Sequence, residues 1–100
     1  MVSIRPMEVD DLEQVTAIER ENFSVPWNEL SFFTYLFREG AVFLVAEEEG
    51  KILGYLGMIS AADEADITNV SVSKDARRMG IGTKLVERLC EKAKKLGTAK

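Results

Sequence analysis

Histidine is absent from the 100 residues, and cysteine occurs once, at Cys90. The first absence removes the most common zinc ligand and pH-neutral base, and the second excludes an intramolecular disulfide. No metal is expected. Without a histidine to activate it, Cys90 is expected to be a small buried hydrophobe of a helix stripe and not a nucleophile. There is also no apolar run near the roughly 18 residues that cross a bilayer. The start of the chain, with Arg5, Glu8, Asp10 and Asp11, has neither the basic beginning nor the apolar middle of a secretory signal. A cytoplasmic protein with no membrane partner is the expectation. An excess of positive charge is missing too. The net charge of −4 argues against general affinity for nucleic acid, because neutralising phosphates takes a basic surface.

What is present is an ordinary globular composition, 46% hydrophobic and 30% charged. The length suits one core, so residues 1–100 are read as a single domain. Charge is unevenly spread: residues 10–21 and 47–49 are acidic, whereas 77–100 hold most of the basic side chains. A mixed solvated surface accounts for this pattern, and so does a local anion site in an acidic protein.

Patterning predicts an α+β unit. Residues 2–5 form a short β-like run closed by Pro6. Over 9–23, Leu12, Val15, Ala17 and Ile18 recur at helical spacing behind an acidic first turn. Pro26 interrupts that helix. A second fits 29–38, with Phe32, Phe33, Leu36 and Phe37 as its apolar side and Gly40 at its end. The runs 41–47 and 51–59 flank Glu48-Glu49-Gly50 and read as a hairpin. Gly54 and Gly57 inside the second run mark a bulge or close backbone approach. Residues 65–72 make another strand, in which Ile67, Val70 and Val72 share a face only if an extra residue bulges between them. The last helix, 82–96, carries the stripe Leu85, Val86, Leu89, Cys90, Ala93 and Leu96, with Gly97 as its cap. The order is β-α-α-β-β-β-α, mixed and mostly antiparallel.

Chemistry concentrates at 70–83. A strand ends, a loop brings Arg77 and Arg78, and Gly80 and Gly82 open a helix. The first N–H groups of a helix lack internal partners and favour negative charge. Glycines there let an anion approach the backbone. Two arginines are unfavourable beside a helix N-terminus unless an anion such as a pyrophosphate joins them. A glycine-containing turn with solvated arginines is the plainer account of the same residues.

Arg77-Arg78-Met79-Gly80-Ile81-Gly82 matches the Q/R-x-x-G-x-G/A signature of the GNAT superfamily of N-acetyltransferases, in the strand–loop–helix setting the signature requires. Ile4-Arg5-Pro6, Asp11-Leu12 and Gly54-Tyr55-Leu56-Gly57 extend the likeness. The segments Phe23-Ser24-Val25-Pro26-Trp27-Asn28 and Glu64-Ala65-Asp66-Ile67-Thr68-Asn69-Val70-Ser71-Val72 resemble those of the RimI-type ribosomal-protein-alanine N-acetyltransferases.

The resemblance implies an acetyl-CoA-dependent N-acetyltransferase acting on a protein N-terminal α-amine, such as that of a ribosomal protein. Val70, Ser71 and Val72 would pair with the pantetheine arm. Arg77, Arg78, Met79, Gly80, Ile81, Gly82 and Thr83 would hold the pyrophosphate. Pro26 and Trp27 would line the acceptor side, although Trp27 equally suits a core. The catalytic carboxylate and tyrosine of such relatives fall beyond Lys100. Within the chain, Glu64 or Asp66 could be read as a base on the fourth strand, against the simpler reading of an acid facing solvent at a turn. Tyr35 and Tyr55 read as packing residues, as do Phe32, Phe33 and Phe37. The implied chain is impaired in catalysis. The alternative is a non-catalytic CoA-binding fragment that forms a homodimer through an exposed strand edge, or aggregates.

Overall fold

The computed structural model describes residues 2–61 and 64–95, without the side chains of residues 61, 64, 65, 75, 77, 78 and 93–95. Four strands, β1 (Ser3–Pro6), β2 (Ala41–Glu48), β3 (Lys51–Ala61) and β4 (Glu64–Val72), pair antiparallel in the order β1-β2-β3-β4. Helices α1 (Leu12–Asn22) and α2 (Glu29–Leu36) pack on one face, and α3 (Ile81–Lys95) packs on the other. The α+β order expected from the sequence holds, with two short 3₁₀ turns, Val9–Asp11 and Lys74–Met79, added to it.

The sheet divides the core in two. Phe43 and Val45 of β2 join Tyr55 of β3 beneath α1 and α2, while Leu44, Ala46 and Leu56 point to α3. Because β2 is covered on both sides, 41–46 is a continuous apolar run and not an alternating one. Glu49 and Gly50 close the β2–β3 hairpin, both with positive φ (51° and 82°), so the turn twists with its strands.

The bulge required on β4 is present. Gly57 opposes Asn69 and Met58 opposes Ile67, leaving Thr68 as the extra residue. Ile67, Val70 and Val72 therefore share the α3 side. The two glycines of β3 are close approaches. A Cβ at Gly57 would overlap the Phe43 ring, and one at Gly54 would lie 2.9 Å from the Ser71 carbonyl oxygen and 3.0 Å from Ile81 Cγ2.

Several expected core positions are not core. In α1, Leu12, Val15 and Ile18 are buried but Ala17 is exposed; Thr16 and Glu19 complete the inward stripe instead, at the i+4 and i+7 spacing from Leu12. In α2, Phe32 is fully buried whereas Phe33 and Phe37 are 45% and 67% exposed. That helix ends at Leu36, after an Asn28 cap whose side chain accepts the Ser31 N–H at 2.8 Å, and Phe33 and Phe37 meet edge-to-face on its outer side. In α3, Ile81, Leu85 and Leu89 make the buried row. Val86 and Cys90 each follow that row by one residue, about 100° round the helix, and both are exposed. The expectation of a buried Cys90 is thereby corrected. The side chain of Ala93, together with Leu96 and the Gly97 cap, lies outside the described residues.

Candidate functional site

The end of β4 and the start of α3 form a continuous corner. The Ser73 N–H donates to the Leu53 carbonyl at 2.8 Å. Alternation along the antiparallel ladder then turns the main chains of Ser71 and Asn69 toward β3 and those of Val70 and Val72 away from it. Among the described residues no strand pairs with that side of β4. The Val72 carbonyl there accepts from Asn22 Nδ2 at 3.0 Å, and Val70, between the bulge and Val72, lies on the open edge.

The chain continues through the 3₁₀ turn Lys74–Met79. Glu21 Oε1 accepts the Lys74 N–H at 2.8 Å, the Ala76 N–H donates to the Ser73 carbonyl, and Ala76 is buried. Gly80 follows with φ 71°, a left-handed conformation that glycine adopts without strain. The first helical bond of α3 runs from the Lys84 N–H to the Gly80 carbonyl. The amides of Ile81, Gly82 and Thr83 thus precede the ladder. A Cβ at Gly80 would have no atom within 4 Å, and one at Gly82 would meet Val72 Cγ2 at 3.9 Å. Neither glycine is required by internal packing. The space beside both Cα atoms is open.

The predicted cofactor residues come together in this corner as main chain more than as side chains. Ile81 is buried against Gly54, and Ser71 is buried with its Oγ bound by Asn22 Nδ2, so both side chains are committed to the fold. Met79, Gly80 and Thr83 are exposed, and Gly82 is half-buried. The main chains of Arg77 and Arg78 lie in the 3₁₀ turn, while their side chains are outside the described residues. Glu64 opens β4 opposite Ala61, its side chain likewise outside the description. Asp66 is exposed.

Trp27 is half-buried and packs on Phe32 and Tyr35, with ring centroids 5.2 and 5.0 Å away. Its indole is therefore tied to the core, with Pro26 half-buried beside it. Tyr55 is fully buried. Its hydroxyl donates to Glu19 Oε1, which makes it a structural donor in this chain.

Sequence reasoning missed a buried polar junction beneath this corner. Glu19, 2% exposed, accepts from Tyr55 Oη, from Asn69 Nδ2 at 3.3 Å and from the Trp27 N–H at 3.0 Å. A signal was available: Glu19 follows Val15 by four residues, on the apolar side of α1. A concavity of about 680 Å³ lies elsewhere, between β1 and the Lys84–Glu91 side of α3.

Comparisons with known proteins agree with this geometry. Residues 12–100 match the acetyltransferase (GNAT) family model. The ribosomal protein bS18-alanine N-acetyltransferase of Escherichia coli (strain K12) is 30% identical over 101 residues, a match covering 99% of this chain and 66% of that protein. A Bacillus subtilis (strain 168) relative, provisionally assigned the same activity, is 32% identical over 93 residues, or 92% of this chain. The chain spans 62% of that relative's length. Among solved structures, the Escherichia coli ribosomal-protein-S18-alanine N-acetyltransferase superposes with a TM-score of 0.87 at 28% identity, over 98% of this chain and 63% of its own. The PaiA N-acetyltransferase of Thermoplasma acidophilum, solved with coenzyme A, gives the same TM-score at 17% identity, over 98% of this chain and 75% of its own.

Proposed function

The chain belongs to the acetyltransferase (GNAT) family, and from that membership we propose that it binds acetyl-CoA along β4 and the following turn for transfer of the acetyl group to a protein N-terminal α-amine, of the ribosomal-protein-alanine type. The observation that carries this reading is the corner itself: Val70 main-chain groups on the side of β4 that no strand pairs among the described residues, then the amides that precede the α3 ladder, beside two glycines whose Cα atoms face open space.

Each part has a chemical role. The Val70 N–H and carbonyl suit the amides of a pantetheine arm, as a strand suits a strand. The amides of Ile81, Gly82 and Thr83, at the positive end of α3, suit a pyrophosphate. Arg77 and Arg78 add countercharge. Acetyl-CoA supplies the activated acyl group. The acceptor α-amine, with an ordinary pKa of about 7.7–8.0, needs only a modest base to become nucleophilic. Pro26 and Trp27, in the loop between α1 and α2, border the acceptor side. No base or acid is assigned among the chain's own residues, so binding and transfer are separate questions for it. A cytoplasmic site of action goes with a ribosomal acceptor.

Calorimetric titration with acetyl-CoA tests the proposal. Gly82→Glu is the informative variant, because its backbone is not left-handed and its Cβ meets only an ordinary contact. It should fold as the parent does, yet lose at least about tenfold in affinity, since a carboxylate then occupies the anion position. Gly80→Glu should lose binding as well, with added backbone strain. Undiminished heat with the Gly82 variant would overturn the assignment.

A further inference from the structure

We propose that Glu19 is a positioning residue that ties the acceptor-side loop to the acetyl-CoA strand, so that filling the strand is transmitted to Trp27. The inference rests on the cofactor and acceptor assignments made above.

Glu19 is a buried carboxylate met by three neutral donors from three different elements: Tyr55 Oη of β3, Asn69 Nδ2 of β4 and the main-chain N–H of Trp27. Burying a carboxylate is costly unless donors satisfy it, and an apolar side chain would fill the same place in the stripe. What the carboxylate adds is connection. Both oxygens are used, one toward the sheet and one toward the loop. Breaking either contact leaves the other partner buried and short of a hydrogen bond.

Asn69 is the sensitive member. It sits between the bulged Thr68 and Val70, where the strand's free edge begins. Its Nδ2 reaches Glu19, while its Oδ1 is buried and without a partner. The orientation of that amide therefore depends on Glu19. Movement of the Val70 main chain on binding pantetheine would shift Asn69, then the carboxylate, then the Trp27 N–H. The last turns of α1 hold the same stretch of chain at further points, Asn22 on Ser71 and the Val72 carbonyl, and Glu21 on the Lys74 N–H. The helix is thus a rigid bar with the strand on its flank and the loop at its end. Coupling between two such sites is reciprocal, so an acceptor held by the loop would in turn tighten acetyl-CoA.

Trp27 is the one tryptophan of the chain, and its fluorescence reads the loop directly. The 100-residue protein is titrated with acetyl-CoA while heat and tryptophan emission are followed in parallel. Expected for the unmutated chain is an emission change that saturates with the heat. In Asn69→Ala, affinity should stay within about threefold of the parent, while the emission change falls to a small fraction. Glu19→Gln should do the same, and circular dichroism should show both variants folded. If Glu19→Gln fails to fold, Asn69→Ala decides alone, since it leaves Glu19 bound to Tyr55 and Trp27. Heat without an emission change in the parent overturns the coupling. So does a response that survives in Asn69→Ala, which would mean that the change reaches the indole by a route other than Asn69, through the Asn22 and Glu21 contacts of α1 or by direct contact with the ligand. Absence of heat in the parent overturns the cofactor assignment, and this inference falls with it.

Discussion

Asp11 shows how one carboxylate can fix the entry of a chain into its fold. It is buried, accepts two bonds from the Arg5 guanidinium at 2.7 and 2.8 Å, and accepts the Glu8 N–H at 2.8 Å. Arg5 in turn donates to Glu47 at 2.5 Å. β1, the first 3₁₀ turn and β2 are joined through these three side chains. The Arg5 hydrogen bond holds the Asp11 carboxyl below its usual range, against the opposing effect of burial, and the Glu8 N–H adds to the depression. A carboxyl depressed on folding contributes stability above its unfolded pKa of about 3.9, and that stability is lost as pH falls through the folded value. Asp11→Asn should therefore cost about 2 kcal/mol near neutrality. The variant and parent should converge as pH falls from neutrality through the lowered folded value of Asp11. Urea unfolding across that range checks both points; a constant gap between the two curves would remove the ionic explanation. The same residue scale explains what the sequence withheld. Glu19 meets Asn69 across 50 positions, and no local pattern announces a pairing that only tertiary packing creates.

Elements were legible where their reasons are local. The β2–β3 hairpin follows from two apolar runs around a turn, and the β4 bulge follows from parity alone, since three apolar residues cannot otherwise share a side. The outer side of α2 was misread because Phe33 and Phe37 are apolar by type, while which side of a short helix is covered depends on how it lies on the sheet. The 3₁₀ turn at Lys74–Met79 escaped because its support is non-local, a Glu21 side chain from another helix. Within the hairpin one local choice is poor. Glu49 occupies the left-handed region at φ 51°, which asparagine tolerates far better than glutamate does. Glu49→Asn should stabilise the fold by about 1 kcal/mol through an Asn-Gly turn. The urea midpoint should rise with an unchanged slope. A fall would mean that the Glu49 side chain supports the hairpin in a way its backbone does not reveal.

At the scale of the whole molecule, the property that suits β4 to a cofactor also exposes it to other strands. The same Val70 main-chain groups that can pair with a pantetheine arm can pair with a second copy of β4, because both offer alternating donors and acceptors. Ile67 and Val70, both exposed on the α3 side, add apolar surface next to that edge. The 100-residue chain is therefore expected to form a dimer whose population rises with concentration, and acetyl-CoA should compete with it for the edge. Light scattering at increasing concentration, with and without ligand, measures this. Val70→Pro separates edge pairing from general stickiness. The Val70 N–H faces away from β3, so proline removes an edge donor without breaking the β3–β4 ladder. That variant should scatter as a monomer and also bind acetyl-CoA more weakly. A dimer that persists in Val70→Pro, or one indifferent to acetyl-CoA, would place self-association on another surface, with the exposed phenylalanines of α2 as the next candidates.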